Sequence, residues 1–224
     1  MLSIGSWMQI GNSEIAEIMG DSNFEWVAVD MEHGSITYSQ LPDIFRALEL
    51  NGTKPYVRVG SSADVLRVLE AGAKGIIIPN IETSIQLSNV KDLIANRGVG
   101  FNRANGYGKH FDKHLNSFPQ VIAMIESMTA VDNLSTILSE GCDAVLIGPY
   151  DLSASLGKSG DFENPDYLDA LNTIMSACKY YKVPNGIHVV YPSVEKLNQR
   201  IKEGYEFIAY GVDTTFLREG VDNL

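Results

Sequence analysis

The amino-acid sequence predicts an α/β protein of the (β/α)8 TIM barrel class, a single domain over residues 1–224. Short apolar runs of strand character alternate with longer amphipathic stretches along the whole chain. The runs are continuous rather than alternating, the pattern of strands buried on both faces of a parallel sheet. Eight such βα pairs in 224 residues fall slightly below the usual size of a barrel. A doubly wound open sheet fits the same alternation and stays open until motifs are weighed.

In chain order the strand candidates are Ser3–Met8, Trp26–Met31, Pro55–Val59, Gly75–Pro79, Val121–Ile125, Ala144–Gly148, Gly186–Tyr191 and Phe207–Gly211. Between them, Ser13–Met19 reads as a helix opened by Ser13 as a candidate cap with a capping-box glutamate. Tyr38–Leu50 sets Leu41, Ile44, Phe45 and Leu48 on one face and is ended by Asn51-Gly52. Ala63–Ala71 repeats the pattern with Val65, Leu66 and Leu69, and Gly72 stops it. Ser84–Asn96, Val131–Glu140, Pro165–Lys182 and Ser193–Glu203 follow, two of them closed by Gly141 and Gly204. Arg97–Pro119 breaks the rhythm: it is glycine-rich, polar and aromatic, with no clear period. Loops of this length in a compact domain are usually functional or disordered. Four glycines in its first twelve residues favour tight turns, so a functional loop is expected at about 97–119.

Composition removes whole classes of function. Twenty-eight Asp and Glu against 17 Lys and Arg leave a formal charge of −11, and no basic stripe of the kind a nucleic-acid binder needs is visible. Cys142 and Cys178 are too few and too isolated for a disulfide framework or a cysteine zinc cage. No apolar run reaches the roughly 18 residues that span a bilayer. The start of the chain, MLSIGSWMQIGNSEIAE, lacks the basic flank and long apolar stretch of a secretion signal. The expectation is a cytoplasmic protein with small-molecule partners, no nucleic acid and no membrane.

A barrel carries its active site at the C-terminal ends of its strands, and those ends are polar here. Strand two ends in Asp30-Met31-Glu32-His33-Gly34, strand three at Arg58, strand five at Glu126, and strand six in Gly148-Pro149-Tyr150-Asp151. Strand seven contains His188 and strand eight leads to Asp213. Glu126 and Asp151 are candidates to share a divalent cation, because hard cations such as Mg²⁺ take oxygen ligands and keep several waters that a bound oxyacid can displace. His33 is a candidate proton carrier, and Arg58 a fixed charge for a carboxylate or developing oxyanion. Metal, base and cation together suit proton abstraction beside a carbonyl.

Blander readings stand beside these. Asp151 before Leu-Ser-Ala-Ser suits a helix cap, Glu126 a cap or ion pair, Arg58 a structural ion pair, and His33 a turn histidine. His110 and His114 have i,i+4 spacing but lack the HExxH glutamate. His188 lies in an apolar run, where a hydrogen-bonded core histidine is the favoured reading. Cys142 reads as a small packing residue. The glycines of 97–108 form no nucleotide-binding motif.

At these residues the sequence resembles the HpcH/HpaI family of metal-dependent pyruvate aldolases, relatives of the citrate lyase β-type enzymes. The resemblance covers nearly the whole chain and rests on WVAVDMEHG at 26–34, PYVRV at 55–59, VLEAGAKGIIIPNIET at 68–83, RGVG at 97–100, IES at 125–127 and IGPYDLSASLG at 147–157. It implies a class II lyase that cleaves or forms 4-hydroxy-2-oxo acids, giving pyruvate and an aldehyde through a metal-bound pyruvate enolate. Glu126 and Asp151 match the metal carboxylates, with Mg²⁺, Mn²⁺ or Co²⁺ as the implied ion. His33 matches the acid–base histidine, acting through water, and Arg58 the arginine that stabilises the enolate. Glu70 matches an acidic residue, often Asp, that pairs with the histidine, and Asp30 a second acid near the aldehyde pocket. The backbone N–H groups of Tyr150 and Asp151 match the binders of the pyruvate carboxylate, and Trp7 an aromatic beside the pocket. A homo-oligomer, trimeric or hexameric, is also implied.

The sequence departs from the family at Met124, where several members carry glutamine, and at Tyr150, bulkier than the usual small residue. The C-terminal helix that helps members assemble looks truncated after Arg218. Other readings are a CoA-ester lyase, which would want a basic groove, a 2-oxo-acid decarboxylase, or a non-catalytic binding protein retaining the fold.

Overall fold

The computed structural model describes residues 1–96, 107–109 and 118–222. Most of the expected functional loop, with His110 and His114, lies outside the described residues. Eight parallel strands close into a barrel in sequence order: β1 (Ser3–Met8), β2 (Trp26–Asp30), β3 (Lys54–Arg58), β4 (Gly75–Ile78), β5 (Gln120–Ile125), β6 (Ala144–Ile147), β7 (Asn185–Val189) and β8 (Phe207–Val212). Each expected strand is present within two residues of its expected bounds, and the open-sheet alternative is excluded.

The helices among the described residues are α1 (Ser13–Gly20), α2 (Leu41–Glu49), α3 (Val65–Ala71), α4 (Ser84–Ala95), α5 (Met128–Asp132), α6 (Leu134–Glu140), α7 (Pro149–Ser155), α8 (Pro165–Tyr181), α9 (Val194–Glu203) and α10 (Asp213–Asp222). Four expectations need correction. Asn12, not Ser13, caps α1, its side chain accepting from the N–H groups of Glu14 and Ile15. The capping box expected there does not form, because the residue three after Ser13 is Ala16; capping boxes form instead at Ser61 with Asp64 and at Thr83 with Gln86, at the start of α4. The helix expected over 131–140 is two, divided at Asn133, and α7 occupies residues read as a strand end and a cap. The C-terminal segment after β8 forms α10.

Two apolar cores result. One lies between barrel and helices and takes the outward faces of the strands, with Val27, Val29, Val57, Ile76 and Ile147 against Phe45, Leu48 and Ile174. The other fills the barrel. At its N-terminal end Trp26 lies between Tyr56, with ring centroids 5.4 Å apart, and Phe207 at 4.6 Å. Near-parallel stacks like these add about 0.5–1.5 kcal/mol each beyond area burial. A Cβ on Gly5 would stand 2.0 Å from the Trp26 ring, so only glycine lets this floor close. Above it, Ala28, Ile77, Ile122, Leu146 and Ala209 complete the interior.

The β1–β8 seam is irregular. Gly5 pairs with Ala209 but Trp7 with Val212, so β8 carries one extra residue and bulges. Gly211, within the bulge, has φ +65°, a conformation open to glycine at no steric cost.

Candidate active site

The mouth is built from strand ends that register places side by side. Asp30 and Arg58 are direct partners of β2 and β3. Arg58 donates from Nε to Asp30 Oδ1 at 2.9 Å and from Nη2 to Oδ2 at 2.7 Å, a bidentate fork. The remaining nitrogen, Nη1, lies 3.2 Å from Glu32 Oε2, and the guanidinium sits 4.8 Å over the Trp7 ring. Asp30 also accepts from Gln9 Nε2 at 2.9 Å and from the N–H groups of Glu32 and His33, which folds the EHG turn around it. Burial drives the Asp30 carboxyl up, but the hydrogen bonds and charge of Arg58, with those of Gln9 and the His33 N–H, outweigh it and hold the group below its ordinary range.

Across the mouth the balance is reversed. Glu126, 5% exposed, accepts the Asn80 N–H at 2.6 Å. Asn80 has φ +53°, a left-handed conformation that asparagine tolerates better than most residues, and Gln86 Nε2 holds its carbonyl at 3.2 Å. Burial pushes the Glu126 carboxyl up to about 7; the Asn80 N–H opposes this, and the charges of Asp151 and Glu32 add to it. A Cβ on Gly148 would stand 2.7 Å from Glu126 Oε2, so the glycine opening the GPYD stretch leaves the carboxylate its space. Asp151 stands in the first turn of α7, whose N-cap is Gly148 and whose first residue is Pro149. The first intrahelical bond runs from the Leu152 N–H to the Gly148 carbonyl, so helix geometry leaves the Tyr150 and Asp151 N–H groups without acceptors of their own. The capping reading of Asp151 therefore falls, and Ser127, not Glu126, caps α5.

A cavity of about 300 Å³ at this mouth is lined by Trp7, Gln9, Asp30, Arg58, Tyr150 and Asp151, among others. Met124 and His188 line it too. His33 stands at the rim, its side chain 63% exposed and its Nε2 3.8 Å from Glu32 Oε2. Glu70, expected to pair with His33, lies on α3 in a separate surface cleft with Tyr38 and Arg67. Cys142 packs against the core, and burial pushes its thiol up to about 11, as a packing residue requires.

Sequence reasoning passed over four contributors. Glu32 was visible in the EHG turn. Asp213 was visible at a strand end, and it accepts the N–H groups of Gln9 and Ile10, fixing the segment that presents Gln9 to Asp30. Gln9 had no motif to mark it. Asn80 acts through its backbone, and its only signal is an asparagine directly after a strand end.

The donor set bears on a metal. Among the described residues no three His, Cys, Asp or Glu side chains converge as a ready-made cage. Two oxygen donors suffice for a hard cation that keeps its waters, and a desolvated carboxylate with a second acid beside it fits a bound cation.

Fold and site together define a class: a barrel enzyme whose mouth sets a fixed arginine opposite a carboxylate pair, equipped to carry negative charge on a small oxyacid. The family model described as HpcH/HpaI aldolase/citrate lyase matches residues 3–220, and the chain belongs to that family. The chain is similar to the 2-dehydro-3,6-dideoxy-6-sulfogluconate aldolase of Pseudomonas putida, 32% identical over 232 residues, 99% of this chain and 90% of that one. It is 31% identical over 233 residues to the 2-keto-3-deoxy-L-rhamnonate aldolase of Shigella boydii, 99% and 86% of the two chains. Among solved structures, an HpcH/HpaI aldolase/citrate lyase family protein from Burkholderia cenocepacia has a TM-score of 0.90 at 27% identity, covering 99% of this chain and 92% of that one. An HpcH/HpaI aldolase from Desulfitobacterium hafniense has a TM-score of 0.90 at 23% identity, covering 99% and 90%, and shows the fold. The chain is thus a carbon–carbon lyase acting on small molecules, in a family of divalent-metal-dependent aldolases. No helix among the described residues is long and apolar enough to cross a membrane.

Proposed function

We propose that this chain cleaves, and in reverse forms, a sugar-acid-derived 4-hydroxy-2-oxo acid, with pyruvate and an aldehyde as the two halves. The observation that carries the reading is the charge imbalance at the mouth: Glu126 is buried, pushed up to about 7 and accompanied by Asp151, opposite an arginine already fixed in place. The names of the two sugar-acid aldolases support the substrate class.

Glu126 and Asp151 would hold the divalent ion, Mg²⁺, Mn²⁺ or Co²⁺. When bound, that ion supplies Lewis-acid polarisation of the 2-oxo acid and lowers the cost of negative charge beside it. The Tyr150 and Asp151 N–H groups receive the substrate carboxylate. Arg58 faces the oxo oxygen and neutralises the charge that grows there. Asp30 keeps the guanidinium in register; with its oxygens committed to Arg58, Gln9 and the EHG turn, it is a positioning residue rather than a base. Trp7 walls the oxo-acid end. His33, at the solvent rim, takes the 4-hydroxyl proton through a water. The C3–C4 bond then breaks, its electron pair becomes the enolate, and the fourth carbon leaves as the aldehyde. Protonation at C3 gives pyruvate. The enzyme works in the cytoplasm as a homo-oligomer, trimeric or hexameric, with residues 97–119 shaping the aldehyde side.

A screen of 4-hydroxy-2-oxo acids with coupled pyruvate detection, with added Mg²⁺, Mn²⁺ or Co²⁺ and after chelation, tests the reading. Metal-dependent pyruvate release is expected. Binding of metal and pyruvate with no turnover of any member would overturn it.

A further inference from the structure

His188 is unused by the chemistry above, yet it stands in the mouth. It projects from β7, between the apolar Ile187 and Val189, and lines both the main cavity and an adjoining one of about 150 Å³ toward Tyr191 and Lys196. Its ring lies 5.6 Å from the Trp7 ring, whose face Arg58 covers. It is therefore close to the end of the cavity where an oxo acid would be held.

The bulge in β8 fixes its chemistry. Gly211 turns its carbonyl to within 3.1 Å of His188 Nε2. A carbonyl only accepts, so Nε2 carries the hydrogen and Nδ1 is left with a lone pair. Burial pushes the imidazole down to about 4, with the Arg58 charge adding to the effect, so the ring is neutral at ordinary pH. Among the described residues Nδ1 has no hydrogen-bond partner, and the fully buried unpaired side-chain atoms are Trp7 Nε1 and Trp26 Nε1 alone. Nδ1 thus keeps access to the cavities that its ring lines. An acceptor facing the cavity is satisfied by water until a ligand displaces that water, and it then needs a donor from the ligand. The carboxylate and oxo groups of a 2-oxo acid cannot donate, but a hydroxyl can.

We propose that His188 is a specificity-determining residue, its Nδ1 accepting a hydrogen bond from a substrate hydroxyl on the carbons beside the oxo-acid head. The assignment rests on the aldolase reading above and refines its substrate class: hydroxylated partners are preferred to their deoxy counterparts. The hydroxyl has two sources, C3 of the oxo acid or the carbon next to the aldehyde.

Aldol addition by the Mg²⁺-loaded enzyme separates them, with pyruvate against hydroxypyruvate and acetaldehyde against glycolaldehyde. In every combination C3 of the oxo acid bonds to the aldehyde carbon, C3 losing a proton and the aldehyde oxygen gaining one. The expected result is a kcat/KM ratio favouring the hydroxylated member by roughly tenfold, the size of one net hydrogen bond, in at least one pair. That ratio falls toward one in His188→Leu and is partly kept in His188→Gln, which retains an acceptor. Equal ratios in the wild type, or a uniform loss across all combinations in His188→Leu, would overturn the assignment.

A measurement on the unaltered enzyme guards against a variant that does not fold. Among only four histidines, the ¹⁵N resonance of His188 Nδ1 should move when hydroxypyruvate or glycolaldehyde is added and much less with pyruvate or acetaldehyde. An unmoved resonance with all four sinks the role. Absence of any aldol product would count against the aldolase reading, while the resonance would still decide on His188.

Discussion

Asp30 and Glu126 are buried carboxylates at strand ends of one barrel mouth, 1% and 5% exposed, and their acidities move in opposite directions. Burial raises both. On the β2–β3 side the protein supplies its own counter-charge: Arg58 grips both oxygens of Asp30, and Gln9 and two backbone N–H groups complete the shell. On the β5–β6 side Glu126 has one N–H, a second acid beside it, and Arg58 only as a minor influence. One half of the mouth is electrostatically closed and the other is open to a cation. A carboxylate alone thus does not mark a metal site; what matters is whether the protein has already compensated it.

The largest effects should break the open half. Glu126→Ala or Asp151→Ala is expected to cut metal-dependent pyruvate release by roughly a thousandfold, at the upper end for losing one preorganised charge partner. Near-normal, chelator-resistant turnover would place the site elsewhere. Breaking the closed half gives a different signature. Arg58→Ala should slow exchange of the pyruvate methyl protons by about a hundredfold. It should also destabilise the fold by about 3–5 kcal/mol, because Asp30 is left as an unpaired buried charge. Calorimetry and proton exchange on the same sample check both.

Proton linkage sharpens the contrast. Glu126 binds its proton more tightly folded than unfolded, so the metal-free protein should lose stability as pH rises from about 4.5 to about 7. The loss is of the order of 3 kcal/mol at most, and the slope should vanish in Glu126→Gln. Asp30 has the opposite sign: its contribution is complete above the usual carboxylate range and is lost as pH falls through its lowered value. Melting curves across pH for wild type, Glu126→Gln and Asp30→Asn resolve the two branches. Gly148→Ala should act more mildly, displacing Glu126 and weakening divalent-ion affinity about 10–100-fold, as read by isothermal titration.

The barrel was largely legible in the sequence because its strands are short apolar runs ended by charged residues, and Asp30, Arg58 and Glu126 are those residues. Asn12, the break at Asn133 and α7 escaped because each turns on a local hydrogen-bond choice between adjacent polar residues. Asn80 and Asp213 escaped for another reason: Asn80 acts through its backbone N–H, and Asp213 on a segment about 200 residues away, while Gln9 lies outside any motif. His188 reads as a hydrogen-bonded core histidine and its ring does bond to the Gly211 carbonyl; what a continuous apolar run hides is that the same ring also points inward to the mouth. In a barrel, inward at the top of a strand means the mouth rather than the core.

The Trp26 sandwich has a kinetic consequence. With Tyr56 and Phe207 pressed against its two faces, the far end of the barrel is plugged, and traffic can use one door. Both fragments must therefore enter and leave past the same side chains, Asp30, Arg58 and Tyr150 among them.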